Sequence, residues 1–139
     1  MAYREKSAWV MAALMGAAGL YYLHMVVSIS RAVGETAPPV PVLIAYVVLV
    51  VIGSVVAQVT LAAASPKEAN APADERERPV LDRAGNISGI VLGFGAVGSL
   101  LHFLHHGDGY LLFHMIMGSL IVSQFVEYAL QIVLLRRTA

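Results

Sequence analysis

The sequence contains no cysteine and few charged residues. Lys, Arg, Asp and Glu together make up 13% of the 139 residues, whereas about a quarter is usual in a soluble domain. The lack of cysteine excludes disulfides, thiolate metal ligands and thiol catalysis. The low charge, combined with 58% hydrophobic residues, excludes an ordinary soluble domain and indicates a membrane protein.

Four long apolar segments cover most of the chain. They span residues 8–29, 41–64, 86–105 and 110–135, and each is close to the ~20 residues that a helix needs to cross the hydrocarbon core. We therefore expect one transmembrane domain, an all-α four-helix bundle, with residues 65–85 as its long loop. The first segment exceeds the 7–15 apolar residues of a signal peptide, so we interpret it as a retained helix.

The basic residues are distributed unequally between the two ends of this bundle. Only Arg31 lies at one end, and eight lie at the other: Arg4, Lys6, Lys67, Arg76, Arg78, Arg83, Arg136 and Arg137. The positive-inside rule then places both termini and the 65–85 loop in the cytoplasm. The short turn at 105–109 would join the third and fourth helices as a hairpin on the outer side. Because the basic residues lie beside the membrane and alternate with acids, we expect no nucleic-acid partner.

All five histidines fall at the outer end under this topology. His24 lies in the first segment, His102, His105 and His106 close the third, and His114 lies in the fourth. An imidazole within the membrane is costly, which favours a functional role.

Neutral imidazole binds zinc, copper, iron and nickel, and two histidines on different helices can hold a haem iron. With Asp108 nearby, the sequence predicts a site for a transition metal or a single haem. The alternatives are that His105 and His106 are solvated at the interface and that His24 and His114 each make one interhelical hydrogen bond.

A second polar level lies nearer the inner end. Glu127 and Gln124 belong to the fourth segment, and Gln58 belongs to the second. A carboxylate within the membrane often belongs to a proton or cation path. The alternative is a packing hydrogen bond from Glu127 to Gln58, or a Glu127 side chain that reaches the interface.

Small residues are spaced for close helix packing. Gly85, Gly89 and Gly93 form a ridge on the third segment, and Gly16 belongs to a similar ridge on the first. We expect the third helix to be central, with such ridges packing within the bundle or across a homodimer. Residues 93–98 also match the G-x-G-x-x-G dinucleotide fingerprint, but that motif requires a preceding strand and a βαβ unit.

A run of alternating charges lies in the long loop, formed by Asp74, Glu75, Arg76, Glu77 and Arg78. Such a run is usually a solvated face, here a short interfacial helix leading into the third segment. Its functional interpretation is the docking of a cytoplasmic protein partner.

The opening residues 3–9 and the charged run 74–78 resemble those of a group of small bacterial inner-membrane proteins with four predicted helices. Members are often encoded beside small helix-turn-helix regulators, so the resemblance implies a sensing or regulatory setting in the bacterial inner membrane. It implies no catalytic residues.

Three classes of function remain open at this point. The first is a binding or sensing protein with a histidine-lined site for a transition metal or haem at its outer end. The second is a proton-coupled small transporter acting as a dimer, and the third is a non-catalytic membrane regulator. We expect no enzyme, because the sequence contains no nucleophile–base set and no complete metallohydrolase motif.

Overall fold

A computed structural model describes residues 3–35 and 37–138 of the chain. This part forms four long helices and one short helix, namely α1 (Tyr3–Val33), α2 (Val40–Ala64), α3 (Pro66–Ala69), α4 (Glu77–His106) and α5 (Gly109–Thr138). No strand occurs in these two described ranges. The predicted all-α class is therefore confirmed.

The four long helices are each long and apolar enough to cross a membrane. In α2 the most apolar window has a mean hydropathy of 2.8, yet only 6% of its residues are buried. A helix that is apolar all round without being buried in protein is typical of a membrane span. The chain is a multi-pass membrane protein.

Local chemistry sets the ends of α4 and α5. Gly107 adopts a left-handed φ of 70°, and its N–H donates to the carbonyl of Phe103 at 2.7 Å, which ends α4. The Asp108 carboxylate then accepts hydrogen bonds from the N–H groups of Tyr110 and Leu111, both at 3.0 Å. This is the N-cap arrangement that begins a helix. Only two residues therefore separate the two helices.

The charged run at 74–78 leads directly into α4, which begins at Glu77, and does not form a separate interfacial helix. The Glu77 carboxylate accepts from the N–H of Asp74 at 3.3 Å, and the N–H of Glu77 donates to the Asp74 carbonyl at 2.9 Å. A glutamate that reaches back to satisfy a free N–H stabilises a helix start. The short helix of this loop is α3, which lies earlier in the chain.

The long helices pack in the order α2, α1, α5, α4, and within the described ranges any further contact between them is sparse. Between α1 and α2, Ser7 bonds Gln58 and Tyr22 packs on Tyr46. In this pair of helices, residue numbers rise along α1 while they fall along α2. The same holds between α1 and α5, where the contacts run from Glu5–Arg136 to Gly16–Phe125. Successive helices in this row are therefore antiparallel.

The expectation that the third transmembrane helix is central is wrong. The inner helices of the row are α1 and α5, and α4 lies at one end, packed on α5. A Cβ added at Gly85, Gly89 or Gly93 would meet open space, so this ridge does not pack against a helix of the same chain. Its neighbours Ile90, Phe94 and Val97 border a shallow hollow on the outer face of α4.

The face of α4 that packs on α5 is rotated by one residue, about 100°, from the expected ridge of Gly85, Gly89 and Gly93. It carries Ser88, Gly95 and Ser99, of which Ser88 and Ser99 are buried. A Cβ at Gly95 would collide with the side chain of Ser119 on α5. Small residues are what allow two helix backbones to approach this closely.

Candidate functional site: a groove between α1 and α5

A groove of about 420 Å³ runs between α1 and α5. Small-molecule sites in proteins are usually about 300–1,000 Å³. Gly16 and Gly19 of α1 and Gly118 of α5 line it, together with apolar side chains such as Leu23 and Ile121. Glycine at these positions leaves the two helix surfaces without side chains beside the groove.

Gly16 and Gly19 of α1 are tightly packed against α5, but Gly118 is not tightly packed. A Cβ at Gly16 would lie 3.3 Å from the Phe125 ring, and one at Gly19 would lie 2.5 Å from the Ile121 Cγ2. A Cβ at Gly118 would meet no atom within 4 Å. The groove is therefore closed where Gly16 and Gly19 pack against α5, and it is open at Gly118.

One end of the groove is polar, where Tyr22 of α1 meets His114 of α5. The Tyr22 hydroxyl lies 3.4 Å from the His114 Nδ1, and their ring centroids are 6.5 Å apart. Tyr22 is only 4% exposed and belongs to a buried cluster with Ala18, Val42 and Tyr46. Packing against α2 therefore fixes the tyrosine, and the tyrosine in turn contacts the imidazole.

The other four histidines do not join this pair at the groove. His24 is exposed, and two residues along a helix is a rotation of about 200° from Tyr22, away from the groove. On α4, the half-buried His102 lies against His106, with ring centroids 4.3 Å apart, and His106 also contacts His105 at 4.8 Å. His105 and His106 are exposed at the end of the helix.

The metal or haem site expected from five histidines and Asp108 is not assembled in residues 3–35 and 37–138. No group of three or more histidine, aspartate or glutamate side chains there is arranged to hold a metal ion. Asp108 serves as the cap of α5. The histidines share one end of the row, as the sequence indicates, but they face different neighbours.

The inner polar residues form two separate contacts. The Glu127 carboxylate accepts from the Ser88 hydroxyl at 3.2 Å and from the Gln131 amide at 3.4 Å. Gln58 instead donates to the Ser7 hydroxyl at 2.8 Å, so the expected bond between Glu127 and Gln58 is not the one formed. Gln124 is exposed.

The end of the row opposite the histidines holds both chain ends and the long loop together. Arg4 pairs with Glu77 at 2.9 Å, and Arg136 pairs with Glu5 at 2.8 Å. The Arg136 guanidinium also lies 5.3 Å from the centre of the Trp9 ring. Part of the charged run at 74–78 is thus engaged within the chain, while Glu75 and Arg76 are exposed.

Sequence reasoning missed Gly19, Gly118 and the role of Tyr22. A periodic signal was present, because the groove residues of α5 recur at 114, 118, 121, 122 and 125, which is one face of an α-helix. In a helix that is apolar all round, however, the pattern does not distinguish the face turned to another helix from the face turned to lipid.

The chain matches no protein-family model, no curated protein and no solved structure.

Proposed function

We propose that this protein is a small membrane-embedded binding or sensing protein whose ligand is a lipophilic organic molecule held in the α1–α5 groove. The observation that carries the proposal is an apolar groove with one polar end, formed by Tyr22 and His114. Ligand sites combine an apolar lining with a few polar groups that orient the ligand. The ligand's apolar part would lie along Gly16, Gly19 and Gly118, and its polar head would lie at the tyrosine and histidine.

The long Tyr22–His114 contact supports this assignment. At 3.4 Å it exceeds the usual length of a hydrogen bond that involves a hydroxyl. A polar head placed here would hydrogen-bond the tyrosine hydroxyl or the imidazole, which are the kind of polar group that orients a ligand in an apolar site.

A haem or a transition metal held by the histidines at the outer end is the competing proposal from the sequence. The groove brings one imidazole, His114, to its wall. A haem clamp needs a second axial ligand on the opposite side, and the exposed His24 does not face that space. The geometry therefore favours an organic ligand, and an absorption spectrum distinguishes the two because haem has a Soret band.

The groove is tested by filling it. Gly118→Leu should occupy the groove without a backbone clash, because a Cβ at Gly118 meets open space. The matched control is Gly98→Leu on α4, which also meets open space but does not line the groove. We expect solvent extraction and mass spectrometry to find one lipophilic molecule enriched in wild type and in Gly98→Leu, and reduced at least about tenfold in Gly118→Leu, since a leucine side chain would occupy its volume.

Two further variants test whether His114 binds the polar head of the ligand. His114→Ala should weaken retention of the molecule, whereas His24→Ala, on the exposed face of α1, should not. The proposal fails if all variants carry the same extracted lipids in the same amounts. A Soret band that is lost in His114→Ala would replace it with the haem proposal.

We also propose that the chain resides in the bacterial inner membrane with both termini in the cytoplasm. The eight-to-one division of basic residues supports this orientation, as does the resemblance to small bacterial inner-membrane proteins. The α4–α5 connection, a short hairpin turn, would then lie on the outer side.

The transporter and regulator proposals have less support from the contacts. Glu127 is hydrogen-bonded between α4 and α5, and Gln58 is bonded between α1 and α2, which are packing roles. Glu77 of the charged run pairs with Arg4. A homodimer or a cytoplasmic partner would have to use the surfaces left open, namely the outer face of α4 and the exposed Glu75 and Arg76.

A further inference from the structure

Two imidazoles lie side by side at the end of α4, away from the groove. His102 and His106 are four residues apart, and their ring centroids are 4.3 Å apart with 36° between the ring planes. On a helix, side chains at i and i+4 lie one above the other on the same face. Two histidines with this spacing supply two metal ligands in the H-E-x-x-H motif.

We propose that His102 and His106 form a two-ligand site for a divalent transition-metal ion, distinct from the groove. Imidazole nitrogen is a ligand for copper, nickel and zinc. Two protein ligands leave the remaining positions on the ion to water. The site has fewer protein ligands than the four of a closed zinc site, and no group of three or more ligands occurs among the described residues.

The charges around this pair favour a cation. No lysine or arginine occurs between residues 84 and 135, and Asp108 follows two residues after His106. The pair also lies in the last turns of α4, which ends at His106, where the helix dipole is negative. The positive start of α5 lies at the same end, but the Asp108 carboxylate caps it, and α4 and α5 carry no basic side chain there.

The pair is also accessible. His106 is exposed and His102 is half-buried, so an ion can reach both rings from outside the helix row. His105 contacts the edge of the His106 ring at 4.8 Å. It lies three residues from His102 and is a rim group in this proposal.

The test uses Cu²⁺, which binds nitrogen sites most strongly among the divalent ions of this series. Protein without a polyhistidine tag is placed in phosphatidylcholine nanodiscs, and Cu²⁺ is titrated by calorimetry with empty discs as the blank. We expect one ion per chain, with nitrogen ligands visible by electron paramagnetic resonance. His102→Ala and His106→Ala should each weaken binding at least about tenfold, because even groups that only support a metal ligand contribute that much.

Three controls make the result specific. His24→Ala should leave Cu²⁺ affinity unchanged, and His105→Ala should change it by less than either pair variant. In the chain that carries both His102→Ala and His106→Ala, the further change Leu101→His creates a new i, i+4 pair with His105. Leu101 is 62% exposed, so the new histidine fits without repacking, and binding should return.

The proposal is overturned if Cu²⁺ binding does not exceed that of empty discs, or if the double variant binds as well as wild type. It is also overturned if Leu101→His does not restore binding, since the spacing would then not be the cause. Gly118→Leu should leave Cu²⁺ binding intact. Loss of the groove ligand and loss of metal binding are thus separate outcomes.

Discussion

Four serines show how single polar side chains fit between α4 and α5. The hydroxyls of Ser88, Ser99, Ser119 and Ser123 each donate to a backbone carbonyl three or four residues earlier in their own helix. These local bonds satisfy the hydroxyl without help from water. Ser99 and Ser123 can therefore be almost fully buried, at 1% and 2% exposure, and act as small packing residues.

The single hydroxyl hydrogen of Ser88 is shared between the Gly85 carbonyl and the Glu127 carboxylate across the helix interface, and this gives a prediction at the residue scale. Ser88→Ala should lower the unfolding free energy by about 0.6 kcal/mol and by no more than about 1.7 kcal/mol, the average and the maximum for interhelical hydrogen bonds within a membrane. Unfolding by sodium dodecyl sulfate in mixed micelles measures this free energy. Gln124→Ala, on an exposed side chain, is the control. Equal stability of the two variants would show that the Ser88–Glu127 bond contributes nothing.

The helix α4 has two faces of opposite character. One face packs on α5 through Ser88, Gly95 and Ser99. The other carries Gly89, Gly93, Phe94 and Val97, and it is exposed. Glycine is thus present on both faces, and its spacing does not identify the packed one.

At the scale of the element, a pair of glycines on α4 separates these two faces. Gly95→Ala should destabilise the protein by about 1–3 kcal/mol, because overpacking forces the neighbouring Ser119 or the backbone to move. Gly98→Ala adds the same methyl group where nothing lies within 4 Å, so it should be neutral or slightly stabilising through helix propensity. Thermal unfolding in detergent compares the two, and similar melting temperatures would contradict the α4–α5 interface described here.

At the scale of the whole molecule, the chain is a row of helices whose two ends carry different residues. One end brings together both termini and the long loop through Arg4–Glu77 and Glu5–Arg136. Exposed ion pairs contribute little to stability, so we interpret their role here as holding α1, the long loop and α5 in position. The other end holds the histidines and the turn between α4 and α5.

The orientation of the row in the membrane is testable because the chain contains no cysteine. Single cysteines introduced by His105→Cys and Glu75→Cys lie at the two ends, and both positions are exposed. A membrane-impermeant maleimide applied to intact bacteria should label position 105, whereas position 75 should react only after lysis. The reverse pattern would invert the proposed topology and place the histidines in the cytoplasm.

The sequence predicted the helices of the fold but not which helices pack against each other. The four apolar segments correspond to α1, α2, α4 and α5, and Gly107 ends α4 in the turn expected there. The central position expected for α4 was wrong, and Glu127 bonds Ser88 and Gln131 rather than Gln58, the partner suggested as one alternative. Of the candidate site residues, His114 lies at the groove and His24 lies away from it. Gly19 and Gly118 were not identified.

The sequence by itself determined that the chain has four segments long and apolar enough to cross a membrane, and it indicated that the histidines share one end. Both follow from local quantities, namely the hydrophobicity of a segment and a rise of 1.5 Å per residue. Only the tertiary structure decided which helices are neighbours and which side chains meet. Each residue turns a helix by about 100°, so Tyr22 faces the groove and His24 faces away. In a uniformly apolar helix, only packing against other helices fixes that rotation.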